Sequence, residues 1–179
     1  AVYYIISPSE VSSNLARFDG VRYGLSDKEA KNLKEIYTLS KSKGFGPEPK
    51  RRIMLGTYAL SSGYYDAYYK KAQQVRTIIR QEMDEVLSQV DLIMTSTSYS
   101  TAFEIGQKID DPLSMYLEDL YVPNASLDGV TAVAGPAGFM KKLPIGMQFI
   151  AKSKEEARLF GVAKAWEDSN DVLVNKPKL

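Results

Sequence analysis

GPEPKRRIMLGTYALSSGYYDAYYKKAQQVRTIIRQ, residues 46–81, reads as helix from Lys50 onward and holds five of the chain's twelve tyrosines. Tyr58, Tyr65, Tyr68, Ala72, Val75, Ile79, Met83, Val86 and Val90 follow steps of three, four or seven. That spacing sets them along one broad helical face. Gly63, between Ser62 and Tyr64, is the expected break, so the pattern predicts two helices rather than one. On this reading the tyrosines are packing residues of a core face. The start of the stretch carries a different signal, the doublet Arg51-Arg52 behind Pro47 and Pro49. Cations near a helix N-terminus oppose the macrodipole, at roughly 0.3–1 kcal/mol each.

Upstream, Tyr3-Tyr4-Ile5-Ile6 is a β-prone run that stops at Ser7-Pro8. Ser9 with Ser12-Ser13-Asn14 then reads as a cap and the start of a helix through Ala16. Residues 18–24 form a two-glycine loop, Asp27 to Lys41 a surface helix, and residues 44–49 a firm break. Downstream, 91–95 reads as a strand. Asp111-Pro112 starts a helix, with Asp as cap and Pro in the first turn, running to about Leu120. Two more strands are expected at 131–134 and 143–151, then a final helix capped by Ser153 that ends on Trp166. The tail from 169 carries no pattern.

Strands alternating with helices place the chain in the α/β class, a mixed β-sheet covered by α-helices. Four short strands make a thin sheet, and the chain opens on Ala1 in an apolar run. Both features lead us to expect a portion of a longer protein.

At 179 residues the chain can bury one sizeable core. It contains no Cys and no His, which excludes a thiolate nucleophile, an imidazole base and a His- or Cys-ligated metal within these residues. The net charge of +1 does not point to nucleic acid as a direct partner. No apolar stretch approaches the ~18 residues of a membrane helix, so no membrane association is expected.

Three candidates for chemistry remain. Arg52 can offer its planar guanidinium to a carboxylate, with Arg51 as surface charge. Asp119, at the far end of the 111–120 helix, can accept an ammonium group, and together the two would clamp an α-amino acid. The run Thr95-Ser96-Thr97-Ser98-Tyr99-Ser100-Thr101 is rich in hydroxyls but has no base within it, which favours a polar loop near a site over a nucleophile. The glycines at 129, 135, 138 and 146 fit neither phosphate-binding pattern.

The stretches YYIISPSEVSSNLARFDGVRYG, KSKGFGPEPKRRIMLGTYALSSGYYDAYYKKAQQVRT and DDPLSMYLEDLYVPNASLDG resemble the amidase-signature family, in its tRNA-dependent amidotransferase branch. The resemblance runs from residue 1 to about 168, with 169–179 as a tail, and implies the C-terminal portion of the amidase-signature fold. It implies that the Ser–cis-Ser–Lys triad lies upstream, so that no catalytic residue belongs to this chain. The same resemblance makes Arg52 the site for a glutamine α-carboxylate, Asp119 the site for its α-amino group, and Tyr3 a wall of that pocket.

The full subunit would hydrolyse glutamine to ammonia, which converts Glu-tRNA(Gln) or Asp-tRNA(Asn) to Gln-tRNA(Gln) or Asn-tRNA(Asn). Partners B and C would complete a cytoplasmic, bacterial-type or organellar heterotrimer. The holo-complex would use ATP and Mg, with none held by this chain, and aminoacyl-tRNA would be bound through one of those partners. The fragment alone would be inactive. Loops 95–101 and 125–137 depart from the family pattern. Another amidase-signature hydrolase and a non-catalytic docking module remain as alternatives.

Overall fold

A computed structural model of the chain describes residues 1–108 and 111–170. Two compact units divide it, Ala1–Arg76 and the residues from Thr77 onward. The expected tail therefore lies, from residue 171, outside the described residues.

Unit 1 is helical. It contains α1 (Val2–Leu15), α2 (Leu33–Gly44), α3 (Pro47–Ala59), a π-helical turn at Asp66–Lys70 and the first residues of α4 (Lys71–Gln89). The strand expected at Tyr3–Ile6 is instead the first turns of α1. Packing overrides β-propensity here, because α1 runs against α3 and buries Ile6, Pro8 and Ser9. Pro8 sits inside the helix with no N–H to donate. The serines expected as caps lie mid-helix and bond back to carbonyls. Ser9 Oγ donates to Ile5 O at 2.7 Å and Ser12 Oγ to Ser9 O at 2.8 Å.

Gly56 sets how closely α3 can approach. A Cβ there would stand 2.0 Å from the Pro8 carbonyl oxygen and 2.8 Å from Ser12 Oγ, so only a glycine admits this crossing. The prolines before the Arg doublet belong to α3 rather than preceding it. Gly46 is the N-cap and Pro47 takes the first helical position, where its missing N–H costs nothing.

The loop before α2 is pinned by buried carboxylates. Asp19 accepts from the backbone N–H of Val21 and Arg22, at 2.8 and 2.9 Å. Asp27 takes Lys43 Nζ at 2.6 Å and the Glu29 N–H at 2.9 Å, while its own N–H donates to Ser40 Oγ. These bonds keep 27–31 out of α2, which starts later than expected. Asn32 caps it by accepting from Glu35 N–H, and Glu35 reaches back to Lys31 N–H.

The expected break at Gly63 is present, but the tyrosines are not core. Tyr58, Tyr64, Tyr65 and Tyr68 are 41–49% exposed. They stack on one another, with Tyr58 and Tyr64 ring centroids 4.1 Å apart and Tyr65 and Tyr69 5.3 Å apart. The Tyr64 hydrogen bond pushes the Tyr58 hydroxyl up to about 12. The turn and the π-helix each shift the helical phase, so a stripe drawn straight from Tyr58 into α4 does not survive.

Unit 2 holds β1 (Ile93–Ser96), α5 (Pro112–Leu117), α6 (Pro123–Asp128), β2 (Thr131–Met140), β3 (Leu143–Ala151) and α7 (Glu156–Ser169). The α/β class holds, with the sheet antiparallel throughout among the described residues rather than mixed as expected. The sheet order is β1-β3-β2, and both pairings are antiparallel. β2 continues past the expected end at Ala134, through a register shift between Pro136 and Gly138. It joins β3 by a two-residue turn in which Lys141 and Lys142 both have positive φ, the geometry that right-twisted hairpins require.

The C-terminal half of the central strand β3, from Met147 to Ala151, is buried on both faces. Met147, Phe149 and Ala151 meet Leu159 of α7, with Val133, Val162 and Trp166 packed around them. Trp166 Nε1 donates to Pro136 O at 3.1 Å, which fixes the helix over the bulge. Gln148 and Ile150 are buried on the opposite face. Among the described residues no helix is long and apolar enough to cross a membrane.

Gly56→Ala is expected to destabilise the protein by about 1–3 kcal/mol or more, through overpacking of α1 against α3. Urea denaturation of the two proteins measures it. Acid should act on the same unit. The backbone N–H groups of Arg22 and Val21 hold the Asp19 carboxyl below its usual range, and Lys43 does the same for Asp27. The stability each contributes is complete above about pH 4, the unfolded aspartate value, and is lost as pH falls through the depressed native one. The gap in denaturation midpoint between wild type and Asp27→Asn should therefore close as pH drops below about 4.

Candidate functional site

Arg52 lies about one and a half turns into α3, on a side chain 31% exposed. Its Nε donates to Glu48 at 2.8 Å, and Glu48 also takes Arg51 at 2.6 Å. Glu48 sits in the first turn of α3, where a negative charge is favoured, and it reaches both arginines at helical spacings of three and four. The apparent conflict between the doublet and the macrodipole is thereby resolved locally. Glu48 is the residue that sequence reasoning passed over, and its i,i+3 and i,i+4 spacing was the available signal.

Tyr3 and Arg52 come together. The Glu48 hydrogen bond is the main influence that raises the Arg52 pKa above its ordinary value, and the Tyr3 phenol oxygen, accepting from the guanidinium, acts more weakly in the same direction. In return, Arg52 holds the Glu48 carboxyl below the usual range. Glu48 thus ties the two guanidinium groups together at the start of α3. A separate open groove in unit 1, lined by Leu15, Phe45, Ile53 and Met54 with Lys41 and Lys50, includes neither Tyr3 nor Arg52.

Asp119 belongs to unit 2. α5 ends at Leu117, earlier than the expected Leu120, and Asp119 lies in the turns that follow. Its N–H donates to Tyr116 O and its carbonyl accepts from Val122 N–H, both at 3.3 Å. The side chain is exposed, and among the described residues its carboxylate makes no hydrogen bond or ion pair. Asp111 caps α5 as the sequence suggests, accepting from Ser114 N–H at 3.1 Å.

The neighbouring residue behaves differently. Glu118 is only 13% exposed and is paired with Lys108, itself 16% exposed. Ser98 Oγ and Ser100 Oγ each donate to it at 2.9 Å. Lys108 draws the Glu118 carboxyl down to about 2, with the two serines assisting. Lys108 Nζ also lies 4.4 Å above the Phe103 ring. Both hydroxyls already donate to Glu118, and Lys108 is held by the same carboxylate, which supports a structural loop rather than a nucleophile site. The sequence singled out Asp119 but gave no sign that the fold draws its neighbour Glu118 inward and pairs it. Its partner Lys108 lies outside the 95–101 run, eight residues past the nearest bonding serine. Among the described residues no group of carboxylates is placed to hold a metal ion.

A family model described as Amidase matches residues 1–160. Curated relatives named as the A subunit of Glutamyl-tRNA(Gln) amidotransferase are 51% identical in Geobacillus kaustophilus and 54% identical in Thermodesulfovibrio yellowstonii. Each alignment covers all of this chain and 37% of the relative. The crystal structure of the protein of that name from Thermotoga maritima is 35% identical with a TM-score of 0.53, over 88% of this chain and 36% of that one. A solved amidase at 21% identity and TM-score 0.61 shares the fold. The chain spans a little over a third of the length of the curated relatives it matches. Matched by the family model over nine-tenths of its described length, it belongs to the Amidase family.

Proposed function

We propose that this chain is the substrate-recognising C-terminal part of the glutamine-hydrolysing subunit of a tRNA-dependent amidotransferase. What carries this reading is that the chain is half identical to proteins named for that enzyme, with Tyr3 and Arg52 on the two helices that cross at Gly56. Glu48 occupies Arg52 Nε and leaves the terminal nitrogens to take both oxygens of the glutamine α-carboxylate. Tyr3 orients the guanidinium, and the exposed Asp119 accepts the α-ammonium.

The acyl transfer itself falls to the Ser–cis-Ser–Lys triad of the full-length protein, so this chain alone does not turn over glutamine. The released ammonia serves amidation of Glu-tRNA(Gln) or Asp-tRNA(Asn). That step uses ATP and Mg and takes place on one of the partners B and C, within a cytoplasmic heterotrimer. The nucleotide and its metal ion belong to that partner.

In the full-length protein, Arg52→Ala and Asp119→Ala should each lower kcat/KM for glutamine hydrolysis by roughly ten- to hundred-fold, the loss of a charge-assisted hydrogen bond. Arg52→Lys should recover only part, since an ammonium cannot fork onto a carboxylate. Steady-state ammonia release measures all three. Unchanged kcat/KM in both alanine variants overturns the reading.

A further inference from the structure

Asp119 stands on a short turn between α5 and α6, with only two long backbone hydrogen bonds of its own. Such a turn does not by itself hold a carboxylate in one place. It is, however, fixed from both sides. On the carboxyl side, the buried Gln148 of β3 donates to Tyr121 O at 3.0 Å and to Ser96 O at 3.2 Å. One rigid amide thus ties the turn to the end of β1.

On the amino side, Glu118 is the only one of the two adjacent carboxylates drawn inward. It collects Lys108, Ser98 and Ser100 from the loop that leaves β1. The root of that loop is set in turn by Gly146. A Cβ there would meet Thr97 Oγ1 at 2.2 Å, and Thr97 N–H donates to Gly146 O at 3.2 Å. A largely buried ion pair is costly to desolvate and gives little net stability. Its specific product is geometry: it fixes the Glu118 side chain inward, while the next side chain along the turn, Asp119, is exposed.

We propose that Lys108 and Glu118, with Ser98 and Ser100, form a clasp of positioning residues that fixes the turn carrying Asp119 and so sets the enzyme's preference for amides bearing an α-ammonium group. This rests on the reading of Asp119 given above. The clasp touches no substrate. It makes the 97–108 loop a determinant of specificity, although the hydroxyls there perform no chemistry.

The test compares two amides in the full-length protein: glutamine, and glutaric acid monoamide, which is glutamine without its α-amino group. Each is followed as a substrate, or as a competitive inhibitor where turnover is slow. Glu118→Gln and Lys108→Met should raise KM for glutamine about five- to fifty-fold with kcat within about three-fold, the pattern of lost uniform binding. KM or Ki for the monoamide should stay within about two-fold, since Asp119 has nothing to hold there. Asp119→Ala should show the same selectivity loss.

If the clasp variants weaken both amides equally, or neither, the clasp is structural only and the proposal falls, while a selective Asp119→Ala leaves the ammonium reading standing. If Asp119→Ala is itself unselective, that reading falls and takes the clasp with it. Should the ion-pair variants fail to fold, Ser98→Ala/Ser100→Ala keeps the pair and removes only its hydroxyls. It should shift glutamine selectivity about two- to five-fold, and no shift overturns the proposal.

Discussion

The close crossing of α1 over α3 at Gly56 is the constraint on which unit 1 depends. Without a Cβ at that point, the Pro8 carbonyl and the Ser12 hydroxyl come against the α3 backbone. Everything on the two helices is then in fixed register. Gly56 lies four residues beyond Arg52, one turn along α3, and Pro8 lies five beyond Tyr3 on α1. The two helices meet at the glycine, and one turn further on they bring a phenol against a guanidinium. A bulkier residue at 56 would therefore move the Tyr3–Arg52 pair as well as loosen the core.

Unit 2 solves a comparable problem with polar rather than steric means. The core of Met147, Phe149, Ala151 and Leu159 holds α7 to one face of β3. The opposite face carries Gln148, a buried amide that no apolar core would choose. Its cost is offset because both of its N–H bonds go to carbonyls of irregular segments, Ser96 and Tyr121. A buried polar group whose hydrogens are spent on two separate loops specifies their placement more than it adds to stability. The sheet thus serves as the rigid support for the turn that carries Asp119.

The sequence made the helical run, its break at Gly63, the β2 and β3 strands and the Asp111 cap legible, because each has a local physical signature. It misled at Tyr3–Ile6, where four β-prone residues became helix under a tertiary contact made 48 residues later, between Pro8 and Gly56. It also misled at the tyrosines, since one π-helical turn rotates every residue beyond it. Arg52 could be singled out from its type and position, and Tyr3 only by family resemblance. Glu118 and Lys108 could not be paired from sequence at all. They stand ten positions apart with α5 between them, and no periodicity links a lysine in one turn with a glutamate in another.

The contrast between adjacent carboxylates sharpens what this chain can recognise. Glu118 is surrounded by one ammonium and two hydroxyls, and its carboxyl is drawn down to about 2, so its charge is satisfied within the fold. Asp119 is exposed, with no such partners among the described residues. At α3 the inequality is reversed, with two guanidiniums and a single glutamate. On the proposed reading, Arg52 and Asp119 supply the cationic and the anionic group for a ligand. Those are the charges that a zwitterionic amino acid would complete, whereas an uncharged aryl or alkyl amide would leave both unmatched.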